Sequence, residues 1–110
     1  MVENRLEALF EEFLLIYKVV NRKSIINVLR SELKSDQLIE IYQYSNGDRS
    51  TREVSAMLTA KCSHSTIARI WNKWALLGLV IPAKQKGRYK AAFNLDEYGI
   101  SEVVEEMEDQ

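Results

Sequence analysis

The chain is poor in residues that staple or ligate. It has one cysteine, Cys62, so no internal disulfide can form. Its one histidine, His64, and that lone cysteine cannot assemble a zinc site. The pair predicts a reducing, cytoplasmic setting. No apolar run approaches the ~18–20 residues of a membrane span. The N-terminal stretch is acidic and amphipathic, unlike a secretion signal. There is no glycine-rich phosphate loop, no metal-ligand spacing and no nucleophile motif, so neither an enzyme nor a cofactor is expected.

The most informative absence is acid. The formal net charge is only −1, yet its parts are segregated. Residues 1–53 carry eight Lys/Arg and nine Asp/Glu, close to balance. Residues 54–95 carry Lys61, Arg69, Lys73, Lys84, Lys86, Arg88 and Lys90 and no acid at all. Residues 96–110 carry seven acids and no base. A charge run usually marks a solvated face, but a local basic run also marks a nucleic-acid footprint that net charge conceals.

What is present is a small, mainly helical chain. An apolar fraction of 46% is ordinary for a folded protein. Residues 3–20 read as an amphipathic helix with Leu6, Leu9, Phe10, Phe13, Leu14, Ile16, Tyr17 and Val20 on one wide stripe. The stripe exceeds what a lone surface helix needs and predicts a homodimer, with packing onto its own domain as the alternative. Ser24 is expected to cap a second helix through Leu33, burying Ile25, Ile26, Val28 and Leu29. Ser35 caps a third to about Tyr44, facing Leu38, Ile39, Ile41 and Tyr42 inward.

After the turn Ser45-Asn46-Gly47-Asp48, the run Ser50-Thr51-Arg52-Glu53 reads as a capping box. It opens a short helix to about Leu58 that buries Val54, Met57 and Leu58, with Cys62 buried beyond it. Residues 63–77 then form one helix with two faces, Ser63 capping its start and Gly78 ending it. Ile67, Ile70, Trp71 and Trp74 share the core stripe. The two tryptophans could instead be stacking platforms for single strands, but their spacing with the isoleucines favours core. Ser65, Arg69 and Asn72 point the other way, flanked by Lys73. Such side chains donate to phosphates and read base edges, Arg for guanine and Asn for adenine.

Residues 79–83 read as a short edge strand carrying Pro82, and 89–95 as a half-buried strand. The link Lys84-Gln85-Lys86-Gly87-Arg88 is a basic hairpin tip. Residues 101–110 read as an acidic tail, solvated or shielding the basic surface.

The stretch 48–54, followed by Ser63-His64-Ser65-Thr66-Ile67-Ala68-Arg69-Ile70-Trp71, resembles small archaeal-type winged helix-turn-helix regulators. So does Lys86-Gly87-Arg88-Tyr89-Lys90, leading to 93–100. The resemblance covers about residues 35–100. It departs between the core helices, where Thr59-Ala60-Lys61-Cys62 has no glycine and is about two residues longer. It implies a mostly α (α+β) fold: an N-terminal helical extension (1–34), a winged helix-turn-helix domain (35–100) with a two-stranded wing, and the acidic tail (101–110). The implied function is sequence-specific binding of double-stranded DNA in transcription regulation, with no small-molecule effector. The expected contacts are Ser63, His64, Ser65, Thr66, Arg69, Asn72 and Lys73 on the helix and Lys84, Lys86, Arg88 and Lys90 on the wing. His64 reads first as an exposed bystander, with a phosphate or base contact as the alternative. The competing class is a winged-helix protein–protein docking module, since surface rather than fold sets function.

Overall fold

Hydroxyl caps place three of the helix starts. Ser35 accepts from the Leu38 amide at 3.2 Å, and Ser63 from the Thr66 amide at 3.2 Å. Ser50 accepts from the Glu53 amide while its own amide donates to Glu53 Oε1 at 2.8 Å, the reciprocal pair of a capping box. The computed structural model describes residues 2–100, and the tail reading for 101–110 falls outside them. The helices are α1 (Val2–Val20), α2 (Arg22–Glu32), α3 (Asp36–Tyr44), α4 (Thr51–Met57) and α5 (His64–Leu77). β1 (Val80–Pro82), β2 (Tyr89–Ala91) and a 3-10 turn (Leu95–Tyr98) follow, so the described residues are mostly helical with a small antiparallel sheet.

Ser24 is not a cap. α1 and α2 run almost continuously, the Asn21 amide reaching Tyr17 O at 2.9 Å and the Ile25 amide reaching Asn21 O at 2.9 Å. α2 begins at Arg22 with Asn21 in the cap position, so Ser24 already lies inside the first turn rather than before it. Val28 and Met57 are also more exposed than expected, at 39% and 40%. Leu29 of α2 and Leu33 just beyond its end are deeply buried. They join Ile41, Tyr42, Val54, Ile67, Trp71 and Trp74 in one apolar cluster. At roughly 1.5–3 kcal/mol per buried side chain, this cluster is what holds α3, α4 and α5 together.

Buried polar atoms inside the cluster are paired. Trp71 Nε1 donates to Ser45 Oγ at 2.8 Å, and Ser45 Oγ donates to Ile41 O at 2.7 Å. Tyr42 OH donates to Leu79 O at 2.7 Å and accepts from the Phe93 amide at 3.1 Å. Burial pushes the Tyr42 phenol up to about 12, the Phe93 and Ala92 amides pulling the other way.

β1 pairs with β2 in the register Val80↔Ala91, Ile81↔Lys90 and Pro82↔Tyr89. On the other side of β2, Asn46 bridges Lys90, with the Gly47 amide on Tyr89 O and the Ala91 amide on Ser45 O. β2 is therefore central, and Pro82, which has no amide to donate, lies on an edge as expected. Gly47 is needed there: its φ is +87°, and an added Cβ would lie 3.4 Å from Lys90 Cβ. β2 stops at Ala91 rather than Leu95. The chain bends away so that Asn94 can cap the 3-10 turn through the Asp96 amide at 2.9 Å. That turn buries Leu95 and Tyr98 and stacks Tyr98 edge-on against Phe93 at 5.7 Å.

Candidate nucleic-acid interface

The chain between α4 and α5 lacks the glycine of a tight turn, and other side chains hold it instead. Gln37 Nε2 of α3 donates to Ala60 O at 3.2 Å. Glu40 takes both the amide and the hydroxyl of Thr59, at 3.0 and 2.7 Å. Ser55 of α4 donates to Cys62 O. Cys62 is half-buried, less enclosed than expected. The entry of α5 is thus fixed from α3 and α4, and the packing of α5 does the rest. Ile67, Trp71 and Trp74 are buried to 0–1% exposure, which makes both tryptophans core residues. Trp71 also meets the Tyr89 ring at 5.6 Å, and Trp74 meets Tyr42 edge-on at 5.4 Å.

With that face spent, Ser65, Arg69 and Asn72 lie exposed on the opposite side, as the periodicity predicts. Arg69 Nη2 donates to Thr66 Oγ1 at 3.3 Å, and Thr66 Oγ1 lies 2.9 Å from Ser63 Oγ. The guanidinium therefore leans toward the helix N-terminus, and the Ser63 and Thr66 hydroxyls serve the helix first. His64 is half-buried at the first helical position. Lys73 is exposed but turned to α2, its Nζ 3.3 Å from Glu32 Oε1. That leaves it on the flank, partly neutralised.

At the other end, the Gly78 amide bonds Ala75 O and the Leu79 amide bonds Trp74 O, with Gly78 at φ +82°. This Schellman arrangement stops α5 and turns the chain straight into β1. The hairpin closes with the Ala83 amide on Arg88 O at 2.9 Å and Gly87 at φ +84°. Lys84, Lys86 and Lys90 are exposed. Arg88 is not: its Nη1 donates to Asp48 O at 2.6 Å and its Nη2 lies 4.0 Å from Glu53 Oε1. Arg88 ties the hairpin to the turn before α4 rather than projecting from its tip, because a capping carboxylate and a free carbonyl both lie within reach. The Ser50 amide and hydroxyl, with Arg88 and Arg49 adding, hold the Glu53 carboxyl below the usual carboxylate range.

Three exposed residues near these surfaces escape a reading by motif. Arg52 projects from α4, and Lys61 lies two residues before the α5 cap. Their signal is charge in segments bordering α5. Leu76, 89% exposed, stands on the same face as Arg69 and Asn72, and its angular position was the available clue. Among the described residues no group of His, Cys, Asp and Glu could hold a metal ion, and no helix is long and apolar enough to cross a membrane. No protein-family model matches this chain, and neither does any curated protein or solved structure.

Proposed function

We propose that residues 35–100 are a winged helix-turn-helix that binds duplex DNA by sequence and regulates transcription. α5 is the recognition helix, lying in the major groove, and the hairpin is a wing over the backbone or minor groove. The observation that carries this reading is the outward face of α5. It presents Ser65, Arg69 and Asn72 to solvent, bears no carboxylate, and sits inside the acid-free stretch 54–95. Arg69 reads guanine and Asn72 reads adenine by bidentate geometry. Lys84 and Lys86 supply phosphate contacts, whereas Arg88 holds the wing in place from within. The reading needs neither catalysis nor a cofactor.

The test is a shift assay on a selected site and on random duplex at two salt concentrations. Arg69→Ala is expected to cost about 1–3 kcal/mol on the selected site and much less on random DNA. Lys84 and Lys86 changed together to alanine weaken both alike, and the log–log salt slope becomes shallower by roughly two per protomer. The same uniform loss from both variants on every sequence would reduce the surface to a non-specific one. One observation favours a second reading, a protein-docking module: Leu76 is an apolar residue standing in the middle of the proposed reading face. In that case the unmodified chain gives no shift at either salt.

A further inference from the structure

Among the described residues nothing covers the apolar stripe of α1. Leu6, Phe10, Phe13, Tyr17 and Val20 are 50–73% exposed, although they repeat at alternating spacings of four and three residues. That spacing is the seam of a helix pairing with another helix. Taken with the neighbouring Leu9 and Ile16, also more than half exposed, the stripe offers on the order of 800 Å². This is about what one partner contributes to a standard interface.

The stripe runs on into a groove. Tyr17 lines it together with Ile25, Val28, Leu77, Leu79 and Phe93, around a volume of about 350 Å³. This groove lies beside the C-terminal half of α1, so it is open to the N-terminal half of a helix running the opposite way.

Charge fixes the same direction. The N-terminal half of α1 carries Glu7, Glu11 and Glu12 against one base, Arg5. The C-terminal end and the joint beyond it carry Lys18, Arg22 and Lys23 and no acid. Two such helices side by side in parallel set like charges together. Antiparallel, each acidic half meets a basic one, and the helix dipoles also oppose.

We propose that α1 pairs antiparallel with α1 of a second copy of this chain, the N-terminal half of each seated in the other's groove. The inference does not depend on DNA binding, and its test contains no DNA. In sedimentation equilibrium at tens of micromolar, the full chain is expected at twice its mass of 12.8 kDa. Phe13→Asp becomes monomeric and still unfolds cooperatively, at the melting temperature of the unmodified chain diluted to monomer, because Phe13 is 58% exposed within one chain. Orientation is read by charge exchange. Glu7→Lys with Glu11→Lys weakens the dimer about tenfold or more, and adding Lys18→Glu with Lys23→Glu restores it. A parallel pair is indifferent to both steps. A monomeric full chain overturns the proposal, as does one that dimerises only when residues 101–110 are removed, since the tail then covers the stripe. A dimer unmoved by the first exchange, or not rescued by the second, overturns the antiparallel arrangement.

Discussion

α1 and α5 are both amphipathic helices, and their sequences advertise an apolar stripe equally clearly. Their fates differ completely. The α5 stripe is buried to 0–1% exposure at Ile67, Trp71 and Trp74, while Phe10 and Phe13 of α1 stay about 60% exposed. The difference lies in how the chain reaches each helix. α5 is entered through a pinned turn and left through a Schellman turn, so the segments on either side fold back over it. α1 is joined to α2 through the single residue Asn21, so among the described residues no connection folds back across its stripe. An apolar stripe states that a helix needs a cover. The connections decide whether its own chain supplies one.

The largest effect should come from attacking the covered stripe. Trp71→Ala is expected to cost about 3–5 kcal/mol in urea unfolding, because it opens a cavity and removes the indole bond to Ser45. Phe13→Ala, measured dilute enough to leave monomers, should change stability by less than about 0.5 kcal/mol. Equal costs would erase the contrast between the helices.

Alkaline titration sharpens it. Tyr42 packs on Trp74, and burial raises its phenol to about 12. Between the unfolded value near 10 and that folded value, the native state binds the extra proton. Stability is therefore whole below pH 10 and falls as pH rises to 12, by about 2–3 kcal/mol. Tyr42→Phe should flatten this limb, at a cost of about 1–3 kcal/mol for leaving the Phe93 amide without its partner, while Leu79 O keeps the Ala92 amide.

A smaller effect lies in the helix against which α5 packs. Ser50→Ala should cost about 1 kcal/mol by removing one arm of the capping box. Glu53 adds an acid dependence of the opposite sign to Tyr42. Its folded carboxyl titrates below its unfolded value, so its contribution is present above the ordinary carboxylate range and lost as pH falls through the folded value. Glu53→Gln should flatten the acid limb of the melting-temperature profile. The smallest effect belongs to the α5 flank, where Lys73→Ala should change stability by about 0–1 kcal/mol, since the Lys73 end of its pair with the half-buried Glu32 stays in solvent.

Much of this was legible because it is local. Caps at Ser35, Ser50 and Ser63 need only a hydroxyl followed by helix formers, and the two faces of α5 follow from its period. The unread parts are the non-local ones. Nothing around Arg88 announces that Asp48 O and Glu53 will receive it from 40 and 35 residues away. Alternation through Leu95 looks like strand, yet an Asn94 cap ends β2 early. Ser24 resembles a cap, yet α2 starts two residues before it, at Arg22.

By itself the sequence determined the order of helices, the hairpin and the charge segregation, since short-range hydrogen bonds and apolar periodicity act within a few residues. Tertiary structure decided which of the cations stay available. Arg69, Lys84 and Lys86 remain exposed, whereas Arg88 and Lys73 are drawn to acids that only folding brings near. It also decided which apolar stripe is core. Burial depends on where the chain goes next, and pattern within a helix carries no information about that.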